Sequence, residues 1–141
     1  MPTAEIITIG TELLLGEIID TNTQFIARLL NDKGIDVYRS QTVGDNVERI
    51  SAAICEAYER CDIIITTGGL GPTIDDPTRE AIAKAFNQDL VFEQLLWEQI
   101  QERFASFKRK PTENNRRQAF IPQHAIPIRN PVGTAPAFYI H

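Results

Sequence analysis

Thr66-Thr67-Gly68-Gly69-Leu70-Gly71-Pro72-Thr73-Ile74-Asp75-Asp76-Pro77-Thr78 stands at the middle of the chain, between two segments of different periodicity. Before it, Asp62-Ile63-Ile64-Ile65 is a β-branched apolar run, which predicts a buried strand. After it, Ala81, Ile82, Ala85 and Phe86 recur at helical spacing over 77–86. The stretch is therefore a strand–loop–helix junction. Gly68, Gly69 and Gly71 permit positive φ and let a ligand come close to the backbone. Asp76 reads as the N-cap of the helix, with Pro77 at its first position. Backbone N–H groups at such a junction suit an anion such as phosphate. Asp75 and Asp76 would repel that anion unless a cation lay between them. The combination predicts a site for phosphate and Mg²⁺, with Asp75 and Asp76 as metal ligands. The alternative is a tight turn that leads into a capped helix and binds nothing.

Working outward, the same alternation repeats. Glu5 to Ile9 predicts a first strand that ends at Gly10, followed by Thr11-Glu12-Leu13-Leu14-Leu15-Gly16 as a loop or single turn. Glu12 falls at the carboxyl end of that strand, where open α/β sheets bind ligands. Asp20-Thr21-Asn22 offers N-caps for a helix whose apolar stripe is Phe25, Ile26, Leu29 and Leu30, and Gly34 ends it. Residues 35–43 alternate as a second strand. Asp45 with Glu48 reads as a capping box for a helix burying Ile50, Ala53, Ile54, Ala57 and Tyr58. Asp45, too, follows a strand.

Beyond the glycine loop, residues 93–108 predict a long helix along Leu96, Ile100, Phe104 and Phe107, with Trp97 as a packing residue. Thr112 is an N-cap for a short helix carrying Asn114, Asn115, Arg116 and Arg117, a set able to contact a nucleotide or pyrophosphate. Prolines make 121–122 and 126–127 extended. A second glycine–proline loop, residues 130–136, precedes a strand at 137–140. Strands near 5–9, 37–43, 62–66 and 137–140 alternating with helices predict a three-layer α/β/α sandwich with a mainly parallel sheet, residues 1–141 forming one domain. The loops carry neither G-x-G-x-x-G nor Gly-Lys-Ser/Thr, which removes a Rossmann dinucleotide site and a Walker loop.

Composition narrows the classes further. The formal net charge is -5 and the short basic runs lie among acids, so nucleic acid is not expected as the main partner. Neither a membrane-length apolar run nor a secretory pattern is present, and a cytoplasmic protein is expected. Cys55 and Cys61 have no metal-ligand spacing and are expected to be reduced, half-buried packing residues. Because the sequence stops at His141 directly after a strand, a fragment of a longer chain is expected.

Six segments together resemble the amino-terminal domain of the CinA (competence/damage-inducible) family. They are Ile9 through Gly16, Asn22, Val43 through Asn46, Thr67 through Thr78, Pro111 through Ala119, and Asn130 through Pro136. Through that family the chain is similar to the MoaB/MogA molybdopterin-binding domains, whose glycine loop ends in Asp-x-Thr, as Asp76-Pro77-Thr78 does. Leu70 stands where those loops carry Thr. The CinA resemblance implies hydrolysis of a nucleotide pyrophosphate, ADP-ribose foremost, with Mg²⁺ or a similar divalent cation. It implies catalytic roles for Asp45 and Asp76. It also implies a substrate-binding set of Gly10, Thr11, Glu12, Asn22, Gly68, Gly69, Gly71, Thr73, Thr78, Asn114, Asn115, Arg116, Gly133 and Thr134. A homo-oligomer, dimer or trimer, is implied as well. The family's further loop, Leu-Pro-Gly-x-Pro-x-Glu, and its deamidase domain do not occur in these residues. The second reading of the same residues is a module that holds molybdopterin or a pterin phosphate without turnover.

Overall fold

The structure, a computed structural model, describes all residues from Met1 to His141. It divides into two compact units, Met1–Gly69 and Leu70–His141, with the boundary inside the glycine loop.

The first unit is built on a parallel three-stranded sheet. Its elements, in chain order, are Thr3–Ile9 (β1), the one-turn helix Thr11–Leu14 (α1), Thr21–Asp32 (α2), Asp36–Val43 (β2), Val47–Tyr58 (α3) and Ile63–Thr67 (β3). The strand order is β2-β1-β3, and both pairings are parallel. A slip between Ala4 and Glu5 leaves Ile9 opposite Val43. Thr8 lies opposite Thr67 on the other side, so all three strands end at one edge. Alternation along β1 explains the layers. Ala4 and Ile6 face α2 and pack with Leu30, Ile26 and Ala27. Thr8 continues that face, meeting Asp20 and Thr23 at the start of α2. The opposite face carries Glu5, which meets Arg60 just past α3, while Ile50, Ala53, Ile54 and Ala57 of α3 are buried. A helix on each face makes the expected α/β/α layering.

The sequence pattern misplaced some of this. The run at 62–66 does not occupy the interior of the sheet. β3 is an edge strand, half-buried throughout, and β1, buried along nearly its whole length, is the centre. An apolar run shows that a strand packs, not how many strands flank it. Phe25, Leu29 and Tyr58, expected inside, are exposed, because each helix turns a narrower stripe to the sheet than the apolar count suggests. Cys55 is exposed, whereas Cys61 is half-buried with its thiol hydrogen-bonded to the carbonyls of Ala57 and Ile63.

The second unit runs Thr78–Ala85 (α4), Leu90–Phe92 (β4), Gln94–Ser106 (α5), a 3-10 helix Glu113–Ala119, Phe120–Pro122 (β5), Ile126–Ile128 (β6) and Ala137–Tyr139 (β7). β4 pairs antiparallel with β5, and β6 with β7. The predicted strand at 137–140 therefore exists but belongs to a hairpin-like pair, not to the parallel sheet. The core here is Leu96, Ile100, Ala119 and Ile121, with Trp97, Phe104 and Phe138 against it. Phe107 lies outside it, exposed. No helix of the chain is long and apolar enough to cross a membrane.

Candidate functional site

In the first unit the common strand edge gathers Gly10, Thr11, Glu12, Asp45 and Gly68. The Gly10 N–H donates to the Val43 carbonyl at 3.0 Å, which brings the first turn beside the end of β2. Thr11 and Asp45 then lock reciprocally: Thr11 N–H donates to the Asp45 carboxylate at 3.2 Å, and Asp45 N–H to Thr11 Oγ1 at 3.0 Å. Asp45 is not the helix cap that its sequence position suggested. Asn46 caps α3, its side chain accepting from Arg49 N–H at 3.0 Å, which frees Asp45 to reach across to Thr11. Gly68 adopts φ +89°, and a Cβ there would stand 2.1 Å from the Ile9 carbonyl oxygen, so only glycine lets these backbones meet. Asn22 is exposed in the first turn of α2, and none of these bonds includes it. Asp20 caps that helix through Thr23 N–H, as the sequence suggested.

In the second unit the rest of the glycine loop closes on Asp76. Its Oδ2 accepts from Thr73 N–H at 3.0 Å and from Thr73 Oγ–H at 2.9 Å. A Cβ at residue 71 would come within 2.5 Å of that oxygen, so Gly71 is what admits the carboxylate. Asp76 does not cap α4. The helix starts at Thr78 after Pro77, with no side-chain cap. The reason is local: the Thr73–Asp76 turn engages the carboxylate before the helix can. Asp75 is exposed, and its N–H donates to Thr73 Oγ1 at 3.2 Å. Thr78, one of the expected substrate-binding residues, is fully buried.

Two residues that the sequence did not flag hold this loop from behind. Arg79, 3% exposed, donates to the carbonyls of Gly71, at 3.1 Å, and Leu70. Burial pulls its pKa down to about 10, opposed by the charges of Glu80 and Asp76, so it stays charged at neutral pH. Gln118, 1% exposed, contacts the Leu70 carbonyl at 3.5 Å, Thr134 Oγ1 at 3.4 Å and Asn115 at 3.3 Å. Arg79 had one available signal: a cation in the first turn of a helix, where the helix dipole favours acids.

The remaining expected residues divide. Asn115 is buried in a capping box with Thr112, as a structural part of the 3-10 helix, and Asn114 is exposed beside it. The Arg116 guanidinium lies 4.7 Å from the centre of the Phe92 ring and 5.4 Å from that of Trp97. Gly133 N–H donates to Asn130 Oδ1 at 2.8 Å, shaping the second glycine loop. A cavity of about 290 Å³ lies beside that loop, lined among others by Ile100, Arg103, Arg129, Asn130, Gly133 and Thr134 and by no residue of 70–78. Buried side-chain atoms left without a hydrogen-bond partner are Thr67 Oγ1, Arg79 Nε and Glu80 Oε2, all in the glycine loop or within two residues of it. Unmet polar atoms are rare in folded chains and concentrate where function overrides packing.

No group of three or more His, Cys, Asp or Glu side chains is placed to hold a metal by itself. Mg²⁺, however, commonly binds through one or two carboxylates together with substrate phosphates. Asp75, exposed, and Asp76 would hold the ion in that mode together with a substrate phosphate, not in a closed protein cage.

Residues 5–141 match the family described as "Probable molybdopterin binding domain", and the chain belongs to that family. Its fold is shared with a molybdopterin biosynthesis enzyme, MoaB, from Thermus thermophilus, at a TM-score of 0.58 and 25% identity, covering 79% of this chain and 69% of that one. The CinA protein of unknown function from Thermoplasma acidophilum is far more similar: TM-score 0.89, 37% identity, 97% of this chain and 80% of that one. Relatives named competence-damage inducible protein are 46% identical in Clostridium botulinum, strain Loch Maree, and 52% identical in Clostridium beijerinckii, each over 137 residues. Within the family, then, the chain is of the CinA type. It spans about a third of the length of these curated relatives: 97% of this chain aligns with 34% and 33% of theirs.

Proposed function

We propose that this molybdopterin-binding-type domain hydrolyses nucleotide diphosphates of the ADP-ribose kind with a divalent cation. The observation that carries the reading is the state of Asp76. Its carboxylate is not engaged in capping a helix but is fixed by Thr73 against Gly71, inside the loop suited to phosphate. A carboxylate so held can take the proton of an attacking water as that water's oxygen bonds to phosphorus. The bond from that phosphorus to the bridging oxygen breaks, and AMP and ribose 5-phosphate leave. In this reading the Gly71 N–H donates to a diphosphate oxygen, and Thr73 keeps the Asp76 carboxylate aligned. A Mg²⁺ bound by Asp75 and Asp76 with the diphosphate would neutralise phosphoryl charge. Asp45 keeps the catalytic role that the resemblance implies, held by Thr11. Assembly as a homodimer or homotrimer belongs to the same reading, and light scattering measures it.

The test is incubation with ADP-ribose and Mg²⁺, with AMP as the product assayed. AMP that forms with Mg²⁺ and not in excess EDTA supports the reading. Saturable binding of a pterin phosphate with no hydrolysis of ADP-ribose overturns it in favour of a binding module.

A further inference from the structure

We propose that Arg79, seconded by Gln118, is a positioning residue that clamps the Leu70–Gly71 peptide so that the Gly71 N–H is turned toward the diphosphate. This rests on the diphosphate reading above. Both side chains come from the body of the second unit, Arg79 from the first turn of α4 and Gln118 from the 3-10 helix, and both meet the Leu70 carbonyl. In a trans peptide the C=O and the following N–H point in opposite directions. No cis peptide occurs in the chain. Holding the Leu70 carbonyl against the buried guanidinium therefore directs the Gly71 N–H away from it. The second bond, from Arg79 to the Gly71 carbonyl, orients no further donor, because the next residue is Pro72, which has no N–H. It stops the first peptide from rotating. The clamp presents one donor in one direction.

Ordinary stability does not explain Arg79 well. It combines burial with a place at the positive end of a helix, and both disfavour a cation. Its hydrogen bonds go to carbonyls of the loop and to no carboxylate, and its Nε has no partner. Two carbonyls on successive residues match the planar fork of a guanidinium, and an ammonium on a flexible stem cannot hold both in register.

Arg79→Lys and Arg79→Met are the variants, read by the melting temperature, the Gly71 amide resonance with and without ADP-ribose, and ADP-ribose affinity. In the wild type the Gly71 amide shifts on adding ADP-ribose. In a folded Arg79→Lys it starts from a different position, and affinity falls roughly 10-fold or more, the loss expected of one displaced donor to a charged group. A folded Arg79→Lys with an unmoved Gly71 amide and wild-type affinity overturns the clamp. So does failure of both variants to fold, which assigns Arg79 to stability. If the wild-type chain binds no ADP-ribose, the diphosphate reading fails, and the Gly71 amide position in Arg79→Lys alone decides the clamp.

Discussion

Each unit buries one charge, and the two are treated in opposite ways. In the first unit Glu5, 1% exposed, receives both arms of Arg60, at 2.8 Å each, and the amide of Gln41 at 2.6 Å. Burial pushes its carboxyl upward, but the Arg60 and Gln41 bonds and the Arg60 charge outweigh that, and it lies below its ordinary value of 4.5. In the second unit Arg79 hydrogen-bonds only to backbone carbonyls and leaves one nitrogen unmet. The two arrangements act on different parts of the molecule. A bidentate ion pair in the middle of a sheet holds two elements together, and its loss is felt by the whole unit. A guanidinium bonded to loop carbonyls sets the shape of that loop, and its loss is felt by whatever the loop contacts. Stability effects should therefore concentrate at Glu5, and ligand effects around Leu70 to Asp76.

The sharpest attempt to break that division is Asp76→Asn. Asn can still accept from Thr73, so the turn survives, but the charge goes. ADP-ribose turnover is expected to drop roughly 10²-fold or more, with an almost unchanged thermal melt. A normal rate with a normal melt would take the catalytic role from Asp76 and pass it to Asp45. On the other side, Glu5→Gln removes the buried charge that faces Arg60, leaving it only the longer contact to Glu56 at 3.7 Å, and should lower stability by about 2 kcal/mol, less than for a fully buried pair because Arg60 is partly exposed. Denaturant titration measures this, and ADP-ribose affinity should stay within about 2-fold, as for surface-remote changes. A large loss of affinity in Glu5→Gln would end the separation of roles.

Acid sharpens the same contrast. Because the folded-state pKa of Glu5 is depressed, its stabilisation is complete above about its ordinary value of 4.5 and disappears as pH falls through the lower folded value. The wild-type advantage over Glu5→Gln should be constant near neutrality and shrink below that point. An advantage that grew on acidification would contradict the sign. Smaller again is Asp20→Ala, which removes the α2 cap and should cost about 1 kcal/mol in the same titration. A shift indistinguishable from zero would mean that Thr8 and Thr23 already hold that turn without it.

Much of the architecture could be read in advance because it depends on local chemistry. Period-two alternation and β-branching located β1, β2 and β3 to within a few residues, and Gly34, with φ +73°, ends α2 where a left-handed residue was needed. The layers followed from the alternation. What could not be read depended on partners distant in the chain. That β3 is an edge depends on the strand order, which no local pattern carries. Asp45 and Asp76 were legible as acids beside glycines, but their bonds were not. Each looked like a helix cap, and each is drawn away, by Thr11 thirty-four residues distant in one case and by a turn to Thr73 in the other. Arg79 and Gln118 escaped notice because polar residues inside helical segments read as solvated surface until burial is known.

Trp97 is the chain's single tryptophan, and the guanidinium over its ring belongs to Arg116 of the 3-10 helix. A cation against an indole face perturbs its excited state as well as its ground state. The intrinsic emission of this protein is thus an internal gauge of whether that helix is seated on α5. Its colour and intensity can be followed at submicromolar concentration, with no dye attached, while ligands, salt or temperature are varied.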